Sequence, residues 1–164
     1  PVVARHELPD DWRFVLAVPD VTDGRSGEEE DRSMRAVVER ADPTIAEEVA
    51  QLVTQHLLPA AASGDRAAFG AAVNRLGRLN GAWYADEQGG VYRPPAGELV
   101  ARLADEPAVT GAGQSSWGPT VYALTGAGDA ERVAEAASEA LASADCEGRV
   151  LVAAPRDRGA VVDE

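Results

Sequence analysis

The sequence predicts an α+β fold of the ferredoxin-like plait kind, with extra helices inserted in the first crossover. Three observations carry that prediction. Strand-like runs rich in β-branched residues stand near the start and end of the chain, WRFVLAV at 12–18 and RVLVAAP at 149–155. A pair of strands flanks a glycine-rich bend between Val109 and Leu124. The segments between carry apolar residues at helical spacing, so the order reads strand, helices, strand, strand, helix, strand. A chain of 164 residues is long enough for one domain with its own core.

Each element has a local cause. WRFVLAV is aromatic and β-branched, and Pro19 stops it. The next stretch, PDVTDGRSGEEEDRS, is turn-rich and acidic, with a cluster at Glu28, Glu29, Glu30 and Asp31. It reads as a solvated loop or as the first turn of a helix, where acids suit the macrodipole; clustered carboxylates also suit a divalent cation. ADPTIAEEVAQLVTQHLLPA is a helix with Asp42 as N-cap and Pro43 as first residue. Ile45, Val49, Leu52, Val53, His56 and Leu57 share its inner face, and Pro59 and Gly64 end it. Asp65 starts a second helix with Phe69, Ala72, Val73, Leu76 and Leu79 inward, so the two form an antiparallel hairpin.

Asn80 to Gly97 is expected to be a loop, rich in glycine and aromatics. Trp83, Tyr84 and Tyr92 there either pack the loop onto the core or line a pocket for a flat substrate. A short helix, GELVARLAD, follows. After the strand pair comes DAERVAEAASEALAS, a helix N-capped by Asp129, whose small apolar stripe suits close packing on a sheet. One domain over 1–154 is expected, with a flexible tail at 155–164.

Composition excludes several function classes. Twenty-eight acids face fifteen bases, for a formal net charge of −13, and every base is arginine. So acidic a surface repels nucleic-acid phosphates and anionic membranes, and it fits a high-salt or GC-rich host. No apolar run approaches the roughly 20 residues a membrane helix needs, and no signal-peptide pattern is present, which suggests the cytoplasm. Cys146 is the single cysteine, so no intrachain disulfide forms. His6 and His56 stand fifty positions apart without metal-site spacing, and no GxSxG is present.

The chemistry-bearing stretch is GAGQSSWGPTVYAL, Gly111 to Leu124. A Walker loop needs a lysine that the chain lacks, and the dinucleotide fingerprint needs a helix where Pro119-Thr120-Val121-Tyr122 is strand-like. The residues leave a hairpin turn and an anion-binding bend both open, because successive backbone N–H groups can cup an anion. A plain hairpin needs two glycines at most, and Gln114, Ser115 and Ser116 add further donors.

The same string resembles the third motif of the GHMP kinase superfamily. More closely, it is similar to the version found in the β-ribofuranosylaminobenzene 5′-phosphate synthase family. DWRFVLAVPD with SGEEE resembles that family's first strand and Gly-Glu segment, SGDRAAFGAAVNRLGRLNG its second helix, and EQGGVYRPP its glycine-tyrosine loop. These segments lie in the family's order from Asp11 to Leu124. The superfamily's nucleotide loop, of the Pro-x-x-x-Gly-[Leu/Ile]-Gly-Ser-Ser type, has no counterpart here.

The resemblance implies a GHMP kinase C-terminal type of domain whose amino-terminal nucleotide and substrate domain is absent from this chain. It implies a decarboxylating phosphoribosyl transferase, inactive as this half alone. Such an enzyme joins phosphoribosyl pyrophosphate to a para-substituted benzoate with loss of pyrophosphate and CO2, in methanopterin-type cofactor biosynthesis. Gly111, Gly113, Gln114, Ser115 and Ser116 would receive phosphate oxygens or the substrate carboxylate, and the Arg93 fork would bind phosphate. Trp83, Tyr92 or Trp117 would stack on the arene, and Glu28 or Glu30 would help hold Mg2+. No catalytic residue is named. The partners implied are small-molecule substrates, the missing amino-terminal half and a second copy in a homodimer, with no nucleic acid and no membrane. Two rival expectations stand beside this one: an ATP-dependent small-molecule kinase domain, and a non-catalytic ligand-binding or dimerisation module.

Overall fold

The strand expected at WRFVLAV is β1, Trp12–Pro19, and it runs inside a four-stranded antiparallel sheet. The computed structural model describes residue 2 and residues 4–21, 27–40 and 42–159. β1 pairs with β3 (Val121–Gly126) on one side and with β4 (Gly148–Ala153) on the other. β2 (Gly111–Gln114) pairs with β3, which gives the order β2-β3-β1-β4. That order is the plait the sequence predicts, with the first and third strands central. Leu151 and Val152 stand exposed on the edge strand β4.

Register sorts the sheet into two faces, because directly opposed residues of antiparallel strands point the same way. Val15 opposes Ala123, Ala17 opposes Val121, and Ala112 opposes Ala123. These residues are fully buried under α6 (Ala96–Ala104) and α7 (Ala130–Ser143), whose Leu99, Leu103, Val133, Ala137 and Leu141 complete the main core.

The opposite face carries Trp12, Leu124, Gly111 and Gly113, and α4 (Arg66–Trp83) lies across it. Trp12 meets Phe69 of α4 with ring centroids 5.0 Å apart. Gly70 of α4 touches the main chain of Thr110 and Gly111 so closely that a Cβ on Gly70 would overlap the Thr110 carbonyl. A Cβ on Gly111 would overlap Gly70 in turn.

The extra helices fill the first crossover as expected: α1 (Glu28–Arg40), α2 (Pro43–Leu52), α3 (Leu58–Ser63), α4 and a one-turn α5 (Ala85–Gln88). Asp42 caps α2 by accepting from the Thr44 N–H at 2.9 Å, a bond that lowers its carboxyl pKa, and Pro43 is the first residue of the helix. Asp65 caps α4 through the Ala68 N–H at 3.0 Å.

Of the two structural readings of the acidic cluster, the first turn of a helix is the one found: it opens α1. Three local expectations need correction. Pro59 does not end its helix. A π turn at Val53–Leu57 widens the chain just before it, and that is where a helix can take in a ring that would strike the carbonyl four residues back. The expected loop from Asn80 is helical through Gln88, apart from Tyr84 between α4 and α5. Asp129 occupies the N-cap position of α7 without capping it, and its carboxylate meets Arg132 at 3.2 Å instead. Residues 22–26 of the acidic stretch and 160–164 of the tail lie outside the described residues.

Candidate functional site

The glycine-rich stretch is a hairpin. Its tip, 115–120, is closed by the Ser115 N–H donating to the Thr120 carbonyl at 2.8 Å and the Gly118 N–H donating to the Ser115 carbonyl at 2.9 Å. Ser116 and Gly118 take left-handed conformations with φ of 52° and 70°, so the tip folds back and Trp117 is carried beneath it. Gly111 and Gly113 are buried strand residues. The first gives way to α4; at the second a Cβ would fall 2.5 Å from the Tyr122 hydroxyl. The glycine content above a hairpin's need is therefore explained by close packing.

Gln114, the last residue of β2, ties the neighbouring loops together. Its Oε1 accepts from the Arg93 backbone N–H at 2.7 Å. Its Nε2 donates to Gln88 Oε1 at 3.1 Å and to the Ser116 carbonyl at 2.8 Å. Gln88 in turn donates to the Val91 carbonyl at 2.9 Å. Both N–H bonds of the Gln114 amide are thus engaged within the protein, which makes it a staple for the tip and the glycine-tyrosine loop.

Between the hairpin tip, α4, the glycine-tyrosine loop and α1 lies a cavity of about 150 Å³. Helix α4 and its continuation contribute Gly77, Asn80, Gly81, Tyr84 and Gln88; the loop contributes Val91 and Tyr92. The hairpin adds Gln114, Ser116 and Trp117, and α1 adds Glu30 and Met34. Trp117 is the keystone. Its indole N–H donates to Glu30 Oε1 at 3.0 Å, and its ring stands edge-on to Tyr84 with centroids 4.7 Å apart at 78°. Helix α1 is held beside the cavity by a further set of polar contacts: Glu87 accepts from the Ser33 hydroxyl at 3.0 Å and from Arg40 at 2.7 Å.

The charge of this lining is sparse. Among the described residues Glu30 is its one carboxylate, and no arginine or histidine lines it. Behind it, burial and secondarily the neighbouring Tyr92 phenol push the Tyr122 hydroxyl up to about 12, so that phenol stays neutral at ordinary pH. The Tyr92 hydroxyl is itself buried without a hydrogen-bond partner.

Of the residues singled out in the sequence, Glu30, Tyr92, Gln114, Ser116 and Trp117 come together around the cavity. Ser115 is exposed on the same tip. Arg93 is joined to Gln114 through its backbone, and its side chain does not line the cavity. Trp83 ends α4 with its indole N–H buried and unpaired, away from the lining, while the adjacent Tyr84 takes the stacking position. Glu28 is exposed on the first turn of α1. Among the described residues, no group of three His, Cys, Asp or Glu side chains is disposed to hold a metal ion. Tyr84, one of the aromatics open to a pocket role in the sequence, lines the cavity, and Asn80 and Gln88 join it unforeseen. With Gly77 and Gly81 they recur every three or four positions, so helical periodicity carried past Leu79 finds them.

Comparison with known proteins agrees with this architecture. The family described as GHMP kinases C terminal matches residues 57–143, just over half of the chain. A protein named Beta-ribofuranosylphenol 5'-phosphate synthase from Methanothermobacter thermautotrophicus is 29% identical over 163 residues, covering 98% of this chain and 46% of that protein. Its namesake from Archaeoglobus fulgidus is 33% identical over 168 residues, covering 99% and 48%. The chain thus spans about half the length of the curated relatives it matches. Among solved structures, mevalonate pyrophosphate decarboxylase from Streptococcus pyogenes superposes with a TM-score of 0.69 at 15% identity, covering 96% of this chain and 48% of that one, a likeness of fold.

Proposed function

The chain belongs to the GHMP kinases C-terminal family, and we propose that it is the carboxy-terminal half of an enzyme of the ribofuranosylphenol 5′-phosphate synthase type. In this reading the enzyme joins the anomeric carbon of phosphoribosyl diphosphate to the ring of a para-substituted benzoate. The anomeric C–O bond breaks and diphosphate leaves with its electron pair. A C–C bond forms at the ring carbon bearing the carboxylate. The ring–carboxylate bond then breaks, its electron pair restores the aromatic ring, and CO2 departs.

One observation carries this reading. Segments far apart in sequence, around Glu30, Gln88–Arg93 and Gln114–Trp117, meet at one aromatic-lined cavity through direct side-chain bonds. These are segments whose likeness to the synthase family is legible in the sequence, and the two named synthases align along nearly all of the chain. Ser115, Ser116 and Arg93, outside or at the rim of the cavity, meet the phosphate groups, and the missing half supplies the rest of that subsite. Among the described residues no group of three His, Cys, Asp or Glu side chains could hold a metal by itself, so no step runs through a resident magnesium here. Magnesium enters this reading with the diphosphate, whose charge it would neutralise.

The test uses 4-hydroxybenzoate and 4-aminobenzoate labelled at the carboxyl carbon, with phosphoribosyl diphosphate and magnesium at high salt. Labelled CO2 is expected from the protein extended by its native upstream sequence and not from these 164 residues alone. No release from either form, with either benzoate, would sink the reading.

A further inference from the structure

Size, shape and charge together say which substrate the cavity is built to take. Its volume, about 150 Å³, is that of an engineered apolar cavity known to admit one benzene molecule. Its walls suit a flat ring, with Trp117 and Tyr84 set edge to face and Tyr92 beside them. Asn80 and Gln88 add carboxamides without charge. Phosphate recognition calls for arginine forks, lysine or clustered backbone N–H groups. Among the described residues, none of the lining side chains is a cation, and Glu30 puts a negative charge beside the space.

We infer that this cavity is the arene half-site, and that Glu30 makes it select the uncharged, carboxylate-free ring over the carboxylated one. The inference rests on the synthase reading for its physiological meaning. A phenol enters without facing the Glu30 carboxylate as a like charge. A benzoate must hold its own carboxylate near it in a partly dry space, where such repulsion is weakly screened. The cavity therefore favours the ring in its decarboxylated, product-like form. Glu30 acts here as a specificity residue, tethered by the Trp117 indole and lining the space.

The experiment measures equilibrium binding to the 164-residue chain by titration calorimetry and by Trp117 emission. The probes are phenol, 4-hydroxybenzoate, ribose 5-phosphate and inorganic diphosphate. Phenol is expected to bind about tenfold more tightly than 4-hydroxybenzoate at low salt, the gap narrowing as salt rises. Glu30→Gln, which keeps an oxygen for the indole bond, should shrink the gap to about twofold. Met34→Arg, at an exposed lining position of α1, should reverse the preference. Thermal unfolding of both variants within a few degrees of the parent shows that any change is local. Diphosphate or ribose 5-phosphate competing with phenol would overturn the inference, as would the absence of phenol binding or a gap unchanged in Glu30→Gln. The CO2 assay separates the two failures: release by the extended protein with no ring in this cavity sinks the inference alone, and no release sinks the synthase reading.

Discussion

The two faces of the sheet are covered in opposite ways. Under α6 and α7 the contacts are made by side chains: Leu99, Leu103, Val133 and Ala137 fill the space above Val15, Ala17 and Ala123. Under α4 part of the contact is backbone on backbone, with Gly70 seated on Thr110 and Gly111. Gly81 meets the Val91 carbonyl in the same manner. The first face can absorb a change of one side chain by repacking its neighbours. On the second, the Gly70 contact with Thr110 and Gly111 has no side chain to move, so the main chain fixes the spacing there. Because α4 also supplies Gly77, Asn80 and Gly81 to the cavity wall, the site rests on this closely packed face, and the aliphatic core serves stability.

The sharpest way to break this contrast is Gly70→Ala. The new Cβ would overlap the Thr110 carbonyl, and roughly 3–4 kcal/mol of stability should be lost, read from urea unfolding. A cost below about 1 kcal/mol would mean that α4 can slide, and the distinction would fail. Leu103→Ala on the other face should cost about 3 kcal/mol by leaving a void, while ligand binding in the cavity stays within twofold of the parent. Equal damage to binding from both substitutions would erase the difference between the faces.

Gln114→Ala removes the three bonds that join β2 to Arg93, Gln88 and Ser116. It should cost about 2 kcal/mol and loosen the hairpin tip, seen as faster amide exchange at Ser115 and Gly118. The smallest effect is alkaline. Below pH 10 the Tyr122 phenol is protonated in both folded and unfolded chains. Above it, the unfolded phenol ionises while the folded one keeps its proton to about 12. Stability should therefore fall between pH 10 and 12 by up to roughly 2 kcal/mol, and Tyr122→Phe should lack this component of the decline.

Much of this molecule is legible in its residues. The sheet order follows from four strand-like segments and the lengths between them, and the caps at Asp42 and Asp65 do what short polar side chains do before a helix. What was not legible depends on partners distant in sequence. The segment from Asn80 looks like a loop because of Gly81, Gly89 and Gly90, yet Gly81 belongs to a helix that must pass close to the Val91 backbone. Pro59 looks like a stop because the π turn that admits it leaves no mark in composition. Asp129 looks like a cap, but Arg132 one turn on competes for its carboxylate. In the candidate site, the GQSSWG string contributes Gln114, Ser116 and Trp117 to the cavity lining. Its glycines reflect contacts with Gly70 and Tyr122 that no local pattern encodes, and of the aromatics at 83, 84 and 92 only Tyr84 and Tyr92 line the cavity.

Trp117 joins α1 to the hairpin tip through one indole N–H, with Tyr84 at its ring edge. That mounting makes it a native optical probe. In a chain whose Trp12 and Trp83 are replaced by phenylalanine, all indole emission comes from a ring at the junction of α1, the hairpin tip and Tyr84. Water entering between α1 and the tip would shift that emission to the red, and an aromatic guest beside it would quench it. The opening and filling of the cavity can then be followed in real time by stopped flow, with no label attached.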